Sequence, residues 1–275
     1  IRCSCVRMPG LNESSDLSAR LRLAREAALQ AGHLVMRYFD QGVEVERKSD
    51  NSPVTIADRE AEQLLRRLIS DAFPDDGILG EEFDEKPGTS GYRWILDPID
   101  GTKSFITGAP LFGTLIGVEH GDECAIGVIE MPALDQRVFA AVGHHAWWQR
   151  GDAEPERTHV SAVDRLADGV YLTTEIDSFA ERDASSIHER LEAAAWFSRT
   201  WGDCYGYFLL VTGRAVVMVD PVVSLWDTAA LYPVLKEAGA TMTDWNGRET
   251  YRAGEVIATN GHVLEEVLAI FQDSA

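Results

Sequence analysis

The chain predicts a layered α/β protein. Two amphipathic helical stretches open it, a block of short β-type runs broken by Gly and Pro turns follows between residues 77 and 142, and strand and helix signals then alternate toward the end. At 275 residues and 45% hydrophobic content there is enough apolar side chain for one large domain or two tightly joined halves. No repeat, low-complexity tract or flexible linker intervenes, so the expected organisation is one unit, 16–275, whose halves, about 16–150 and 151–275, share an interface.

Taken in order, residues 1–15 are polar and lack a signal-peptide core; they are expected to be a disordered tail, a trimmed leader or a cloning remnant, outside the fold. Asp16 then caps a helix in which Leu17, Leu21, Ala24, Ala28, Leu34 and Val35 recur near helical spacing, ending around Phe39 before Gln41-Gly42. A short strand over 43–47 leads into a polar loop, 48–53. The second helix, 55–73, carries Ala61, Leu64, Leu65, Leu68, Ile69 and Phe73 on one side and stops at Pro74-Asp75-Asp76-Gly77. Asp58 lies in its first turn, where the helix dipole favours a carboxylate with or without a function. Strands follow over 77–80, 92–96, 111–118, 124–130 and 138–142, with Trp147 and Trp148 packing at a strand end and a polar surface region over 151–157. Beyond it, strands are expected over 170–174, 216–219 and 255–258, and helices over 187–194, 205–212 and 228–238.

Charge and composition exclude several function classes. With 45 acidic against 25 basic residues the formal charge is −20, which repels a nucleic-acid backbone. A phosphate-bearing ligand needs something positive at its site, and a divalent cation answers that need. Cys3, Cys5, Cys124 and Cys204 are too few and scattered for a disulfide framework, so a reducing, cytoplasmic compartment is expected. Cys3 and Cys5 lack a second pair at zinc spacing, and no apolar run reaches the roughly 18 residues of a membrane helix. The histidines show no catalytic pairing, and neither a Gly-rich nucleotide loop nor a Ser-His-Asp set is present.

The chemistry concentrates in two segments. Trp94-Ile95-Leu96-Asp97-Pro98-Ile99-Asp100-Gly101-Thr102 is an apolar strand ending in two aspartates three apart, then a Gly-Thr turn. Anions this close repel unless a cation or hydrogen bonds hold them, and a hard metal ion suits them. Gly80-Glu81-Glu82 places further carboxylates after a neighbouring strand, so the two strand ends can converge. Taken singly, Asp-Gly is also a common turn and Glu-Glu a solvated edge. An EF-hand loop is interrupted by Pro98 and Ile99.

These residues resemble the inositol monophosphatase-like metal-dependent phosphatases, whose signature pairs a Gly-Glu-Glu with a Trp-Ile-hydrophobic-Asp-Pro-hydrophobic-Asp-Gly-Thr and a later Trp-Asp; here they stand at 80–82, 94–102 and Trp226-Asp227. The resemblance covers nearly the whole chain beyond residue 16 and implies an α-β-α-β-α sandwich, commonly a homodimer, with a site between the two halves, 16–150 holding metal and 151–275 reading substrate. It implies two or three magnesium ions, replaceable by manganese, held by Glu81, Asp97, Asp100, Asp227 and the backbone carbonyl of Ile99. Asp227 by itself would read as a helix N-terminal carboxylate. Thr102 and Asp58 would orient the attacking water, with Glu81 also serving the catalytic step. The amides of Gly101 and Thr102 would hold the phosphate if they open a helix. Lys48 matches a lysine near the family's site, though a loop lysine is ordinarily just solvated.

Within the family, Arg199-Thr200-Trp201-Gly202-Asp203-Cys204-Tyr205-Gly206-Tyr207 occupies the place where substrate is read. It departs from the inositol branch, which has Gly, then Thr or Ser, then Ala; here Asp203 follows the Gly and favours a cationic ligand. The run is similar to the histidinol-phosphate phosphatase branch. The expected ligand is therefore a small phosphate monoester, histidinol phosphate foremost, with an inositol or broad sugar phosphate as the alternative and a non-catalytic metal- or phosphate-binding protein as a different class. Asp220 aligns with an acidic substrate contact, although Pro221 beside it also allows a plain turn. Arg199 reads equally as a substrate group, a surface residue or a subunit-interface residue.

Overall fold

The computed structural model describes residues 16–42, 44–47 and 53–272. The expected tail 1–15 with its Cys3 and Cys5, and Lys48 with its loop as far as Ser52, lie outside the described residues.

Helix α1 (Asp16–Val35) stops short of the expected Phe39, because i→i+3 bonds from Arg37 N–H to Leu34 O and Tyr38 N–H to Val35 O tighten the last turns. Pro53, expected in a loop, instead opens a strand: β1 (Val45–Arg47) and β2 (Pro53–Thr55) pair antiparallel. Thr55 then caps α2 (Ile56–Ala72) through a capping box with Asp58.

The larger sheet contains β3 (Gly77–Gly80), β4 (Tyr92–Asp100), β5 (Gly113–His120), β6 (Glu123–Met131), β7 (Gln136–Ala141), β8 (Ala146–Arg150) and β9 (Glu156–Arg157), in that order. Only β3 and β4 run parallel; the rest is an antiparallel meander. Short α3 (Thr102–Ile106) follows β4 directly. The polar stretch expected to be surface ends in β9, and Trp147 and Trp148 sit inside β8 rather than at a strand end.

The second sheet is built of β10 (Val170–Leu172), β11 (Phe197–Arg199), β12 (Val217–Asp220), β13 (Thr241–Thr243) and β14 (Val256–Thr259), ordered β11-β10-β12-β14-β13. Around it lie α4 (Asp177–Glu181), α5 (Ser185–Ala194), α6 (Asp203–Val211), α7 (Leu225–Ala229), α8 (Leu231–Ala238) and α9 (Leu264–Gln272).

Three apolar clusters stack these elements into five layers. Leu21, Ala28, Ala61 and Leu65 of α1 and α2 pack on Trp94, Leu96, Ile116 and Val128 of the larger sheet. Its opposite face, Ile95, Leu115 and Ile129, meets Phe208, Leu231 and Val234 of α6 and α8, which also cover Leu172, Met218 and Ala258 of the smaller sheet. Tyr171, Val217 and Ile257 on the far side of that sheet pack on Phe179, Leu191 and Phe271 of α4, α5 and α9. The α-β-α-β-α sandwich is thus present. Both faces of the larger sheet are covered, so β5 is buried at every residue but His120 and its sequence is nearly continuous apolar rather than alternating.

One packing detail sets up the site. Gly117 and Gly127 oppose each other in β5 and β6, and a β-carbon on Gly127 would stand 2.0 Å from the carbonyl oxygen of Ala230. The junction of α7 and α8 therefore lies directly on the sheet. The single helix expected over 228–238 is broken there, since Pro233 has no N–H to give the carbonyl of Ala229.

Candidate active site

Asp97 and Asp100 lie within β4, not after a strand ending at Leu96 as expected. Three positions apart in a regular strand, their side chains would point to opposite faces. The pairing of β4 with β5 shifts register between these two residues, and that irregularity re-aims them. Among the described residues, Asp97, Asp100 and Asp227 consequently each present a carboxylate oxygen within 4.8 Å of the other two.

Asp227 arrives from the other sheet's side of the molecule, on the third residue of α7, where its Oδ2 accepts from the Ser224 N–H (2.7 Å). It is a helix-capping carboxylate and a member of the cluster at once. Glu81 follows β3; its N–H donates to Leu96 O (3.2 Å), extending the parallel pairing. It falls outside the tight trio, yet its charge is the strongest after burial in lifting the Asp97 carboxyl well above the usual carboxylate range, with Asp100 and Asp227 adding to it. Asp100 is raised likewise, by burial and then by Asp203 and Asp227, against the hydrogen bond it accepts from the Cys204 N–H.

Whether this group suits a metal can be tested on one atom: Asp97 Oδ1 is buried and meets no hydrogen-bond donor among the described residues. Buried carboxylate oxygens are ordinarily satisfied. An oxygen without a donor, in an all-oxygen cluster of mutually repelling anions, suits a hard cation such as magnesium.

Of the expected water-orienting pair, Asp58 comes from the first turn of α2 and Thr102 from the start of α3, directly after β4. Asp58 Oδ2 accepts from Thr55 N–H (2.8 Å) and Thr55 Oγ1–H (2.6 Å), and burial pushes its carboxyl up to about 6. Thr102 opens α3 and donates its hydroxyl proton to the carbonyl of Ile99 (3.0 Å). Gly101, at φ 85°, precedes it, so its amide and that of Thr102 do start a helix, though one of only five residues. Because β2 packs against α3, Thr55 and Asp58 are carried toward Thr102.

A cleft of about 350 Å³ beside the trio is lined by Asp100, Thr174, Asp203, Tyr207, Asp220 and Asp227, among others. Asp203 is the first residue of α6, two positions earlier than the helix start expected, and holds φ 50°, a conformation Asp tolerates better than most residues. Burial, then the charges of Asp220, Asp227 and Glu175, push its carboxyl up to about 7. Asp220 ends β12 rather than forming a turn, and its oxygens take the Thr174 N–H (3.0 Å) and the Tyr207 hydroxyl (2.8 Å). Arg199 is exposed on edge strand β11, bonds the Ser198 carbonyl and lies over the rings of Phe197 and Trp201; it is not part of the cleft wall.

Two contributors escaped sequence reasoning, Thr174 and Glu62, while Tyr207 stood in the segment expected to read substrate but without a role of its own. Thr174 and Tyr207 hold Asp220, and Tyr207 stands one helical turn beyond Asp203, a spacing that signals a shared face. Glu62, fully buried, accepts from the Glu82 N–H (2.7 Å) and pairs with Arg66 (2.7 Å); it too lies four residues beyond a site residue, Asp58.

Comparison with known proteins gives consistent matches. A profile described as the inositol monophosphatase family matches residues 16–275. The histidinol-phosphatase of Chlorobaculum parvum is 41% identical over 89% of this chain and 93% of its own length, and that of Mycobacterium tuberculosis 35% over 90% and 96%. Among solved structures, the suhB extragenic suppressor protein of Bartonella henselae superposes with a TM-score of 0.86 at 28% identity, covering 94% of this chain and 100% of the other, and the Thermotoga maritima IMPase with 0.83 at 29%, covering 93% and 97%.

Proposed function

This chain belongs to the inositol monophosphatase family, and on that premise we propose that it hydrolyses L-histidinol phosphate to L-histidinol and phosphate. The observation that carries the substrate is Asp203, a half-buried carboxylate on the wall of the cleft beside the trio, where a neutral polyol needs no charge and an ammonium or imidazolium does. The division into a metal-holding half, 16–150, and a substrate-reading half, 151–275, is part of the same proposal, with Asp227 crossing over to complete the trio.

In this reading Asp97, Asp100, Asp227, Glu81 and the carbonyl of Ile99 hold magnesium, or manganese in its place. When bound, the cation offsets the carboxylates' charge and acts as a Lewis acid toward the phosphate. The remaining work falls to the chain. Thr102 has committed its only proton to Ile99 O, so toward a water molecule its oxygen can only accept. Asp58 supplies a second acceptor, and its carboxyl, near 6, is poised to take up a proton at neutral pH. Two acceptors drawing on the water's two protons aim its lone pair at phosphorus. The new P–O bond forms as the ester P–O bond breaks in line, and the departing alkoxide takes a proton to leave as the alcohol. The amides of Gly101 and Thr102 face the phosphate, and Asp203 and Asp220 face the organic part, Asp220 being held in place by Thr174 and Tyr207. Arg199 retains a substrate-contacting role in this proposal only through movement of its exposed side chain.

A homodimer belongs to the proposal as well. Trp196, 69% exposed, and Trp201 flank edge strand β11, giving a face that a second copy can cover. A cytoplasmic site of action is supported by Cys124 and Cys204, which are free thiols; no described helix is long and apolar enough to cross a membrane.

The deciding experiment is phosphate release from histidinol phosphate and from inositol 1-phosphate, with magnesium and with chelator, in wild type and Asp203→Asn. Expected are a preference for histidinol phosphate, loss of turnover in chelator, and a selective loss of that preference in the variant. Equal losses on both esters would refute the substrate assignment; turnover that survives chelation would refute the metal.

A further inference from the structure

Outside the residues already assigned, an ion pair stands next to the residues that form the site. Lys103 of α3 and Glu175, in the loop after β10, are bonded to each other, joining that helix to that loop. Each is tied in sequence to a residue of the site: Lys103 follows Thr102, and Glu175 follows Thr174. Thr174 is fixed to both acidic walls, since its N–H donates to Asp220 Oδ1 (3.0 Å) and its Oγ1 accepts from Asp203 N–H (2.9 Å). The Glu175 carbonyl in turn accepts from Ser178 Oγ (2.6 Å), so its backbone is anchored on both sides.

The partners themselves are loosely held. Their side chains are 65% and 43% exposed, and an exposed pair of this kind adds little to stability. Its charges nonetheless reach inward: Glu175 is among the anions that raise Asp203, and Lys103 is the cation that lowers it. The pair thus sets one positive and one negative group, weakly joined, next in the chain to Thr102 and to Thr174.

We propose that the Lys103–Glu175 pair is an exchangeable latch that selects monoesters carrying both a phosphate and a cationic amine. Glu175 gives up Lys103 for the substrate's ammonium, and Lys103 turns to the phosphate, so two new ion pairs replace one. A neutral monoester offers Glu175 nothing in return, and for it the exchange is unfavourable. The inference deepens the functional reading above and rests on it.

The test compares kcat/KM for histidinol phosphate and inositol 1-phosphate in three proteins: wild type, Glu175→Gln, and the charge-swapped double variant Lys103→Glu with Glu175→Lys. Glu175→Gln is expected to lower the ratio of the two values about tenfold, mainly through KM for histidinol phosphate. The swapped pair re-forms an ion pair between α3 and the loop. Were the pair only a staple, the swap would restore the wild-type ratio, and that result would overturn the latch. An unchanged ratio in Glu175→Gln, with wild type still preferring histidinol phosphate, would overturn it too while leaving the phosphatase assignment intact. A wild type with no such preference would sink both.

Discussion

Glu62 Oε1 stands 2.1 Å from the position a β-carbon would take on Gly80, so the carboxylate occupies the space that only glycine leaves open. From there Glu62 Oε2 accepts the Glu82 N–H (2.7 Å), which fixes the peptide that follows Glu81. The Gly-Glu-Glu signature is therefore a mould for one side chain from α2 as much as a source of ligands.

It follows that Gly80→Ala is expected to destabilise the protein by about 1–3 kcal/mol through overpacking. Glu62→Ala is expected to weaken magnesium binding roughly 10–100-fold, because a group that orients a ligand has been lost. Calorimetric titration of magnesium alongside thermal melts checks both; unaltered affinity in Glu62→Ala would show that Glu81 is held by other means.

Asp97→Asn separates charge from shape. Turnover on every monoester is expected to fall to background, and the rise in Tm that magnesium confers on wild type should vanish. In chelator the variant should melt no lower than wild type, since it removes the buried anion of a self-repelling trio. A lower metal-free Tm would mean that the Asp97 charge is compensated by the protein itself.

The metal-free protein should lose stability as pH rises. Asp58 is pushed up to about 6, and Asp203 and Glu130 to about 7, each chiefly by burial, whereas in the unfolded chain such groups titrate near 4. Between about pH 4 and 7 the native state therefore holds protons that the unfolded state has released, and the free energy of unfolding declines across that window. Melts in chelator at pH 5 and 7.5 should show the higher Tm at pH 5. Saturating magnesium should shrink the difference, leaving the part due to Glu130, which lies away from the site and faces Arg137 (3.0 Å).

Far from the cleft, Asp76→Ala tests a structural ion pair. Asp76 receives both arms of Arg20 (2.8 and 2.7 Å), the Ser90 hydroxyl (2.6 Å) and the Trp94 indole N–H (2.8 Å), while the guanidinium lies between the rings of Phe73 and Tyr92. Removing the acid leaves a buried cation without its partner, a loss of about 3–5 kcal/mol. A change under about 1 kcal/mol by denaturant titration would show that water reaches Arg20 freely.

Much of this protein was legible in one dimension because the information was local. Helical periodicity marked α1 and α2, and the turn residues marked β3 correctly. The carboxylates of 94–102 and 80–82 stood out as clusters in a chain whose charge already demanded a cation for any phosphate ligand, whereas Asp227 was marked only by the family resemblance. Local signals were weakest where pairing partners decide. The strands β8 and β9 read as a strand end and a polar surface, because an edge hairpin has little apolar pattern of its own; β2 read as a loop because Pro53 is permitted only where no ladder needs its N–H.

The sequence alone determined the layered α/β class and the residue types from which a metal-dependent phosphate site can be built, since both follow from composition, period and short-range spacing. Only the tertiary structure decided that Asp97 and Asp100 face the same way, because that depends on a register shift against β5. It alone showed how Asp227 comes to stand beside them: two glycines on neighbouring strands let the α7–α8 junction lie on the sheet. The same holds for Glu62 beneath Gly80 and for Lys103 opposite Glu175, pairs separated by 18 and 72 positions. Contacts between groups so far apart along the chain depend on how the layers stack, and no window of sequence contains that.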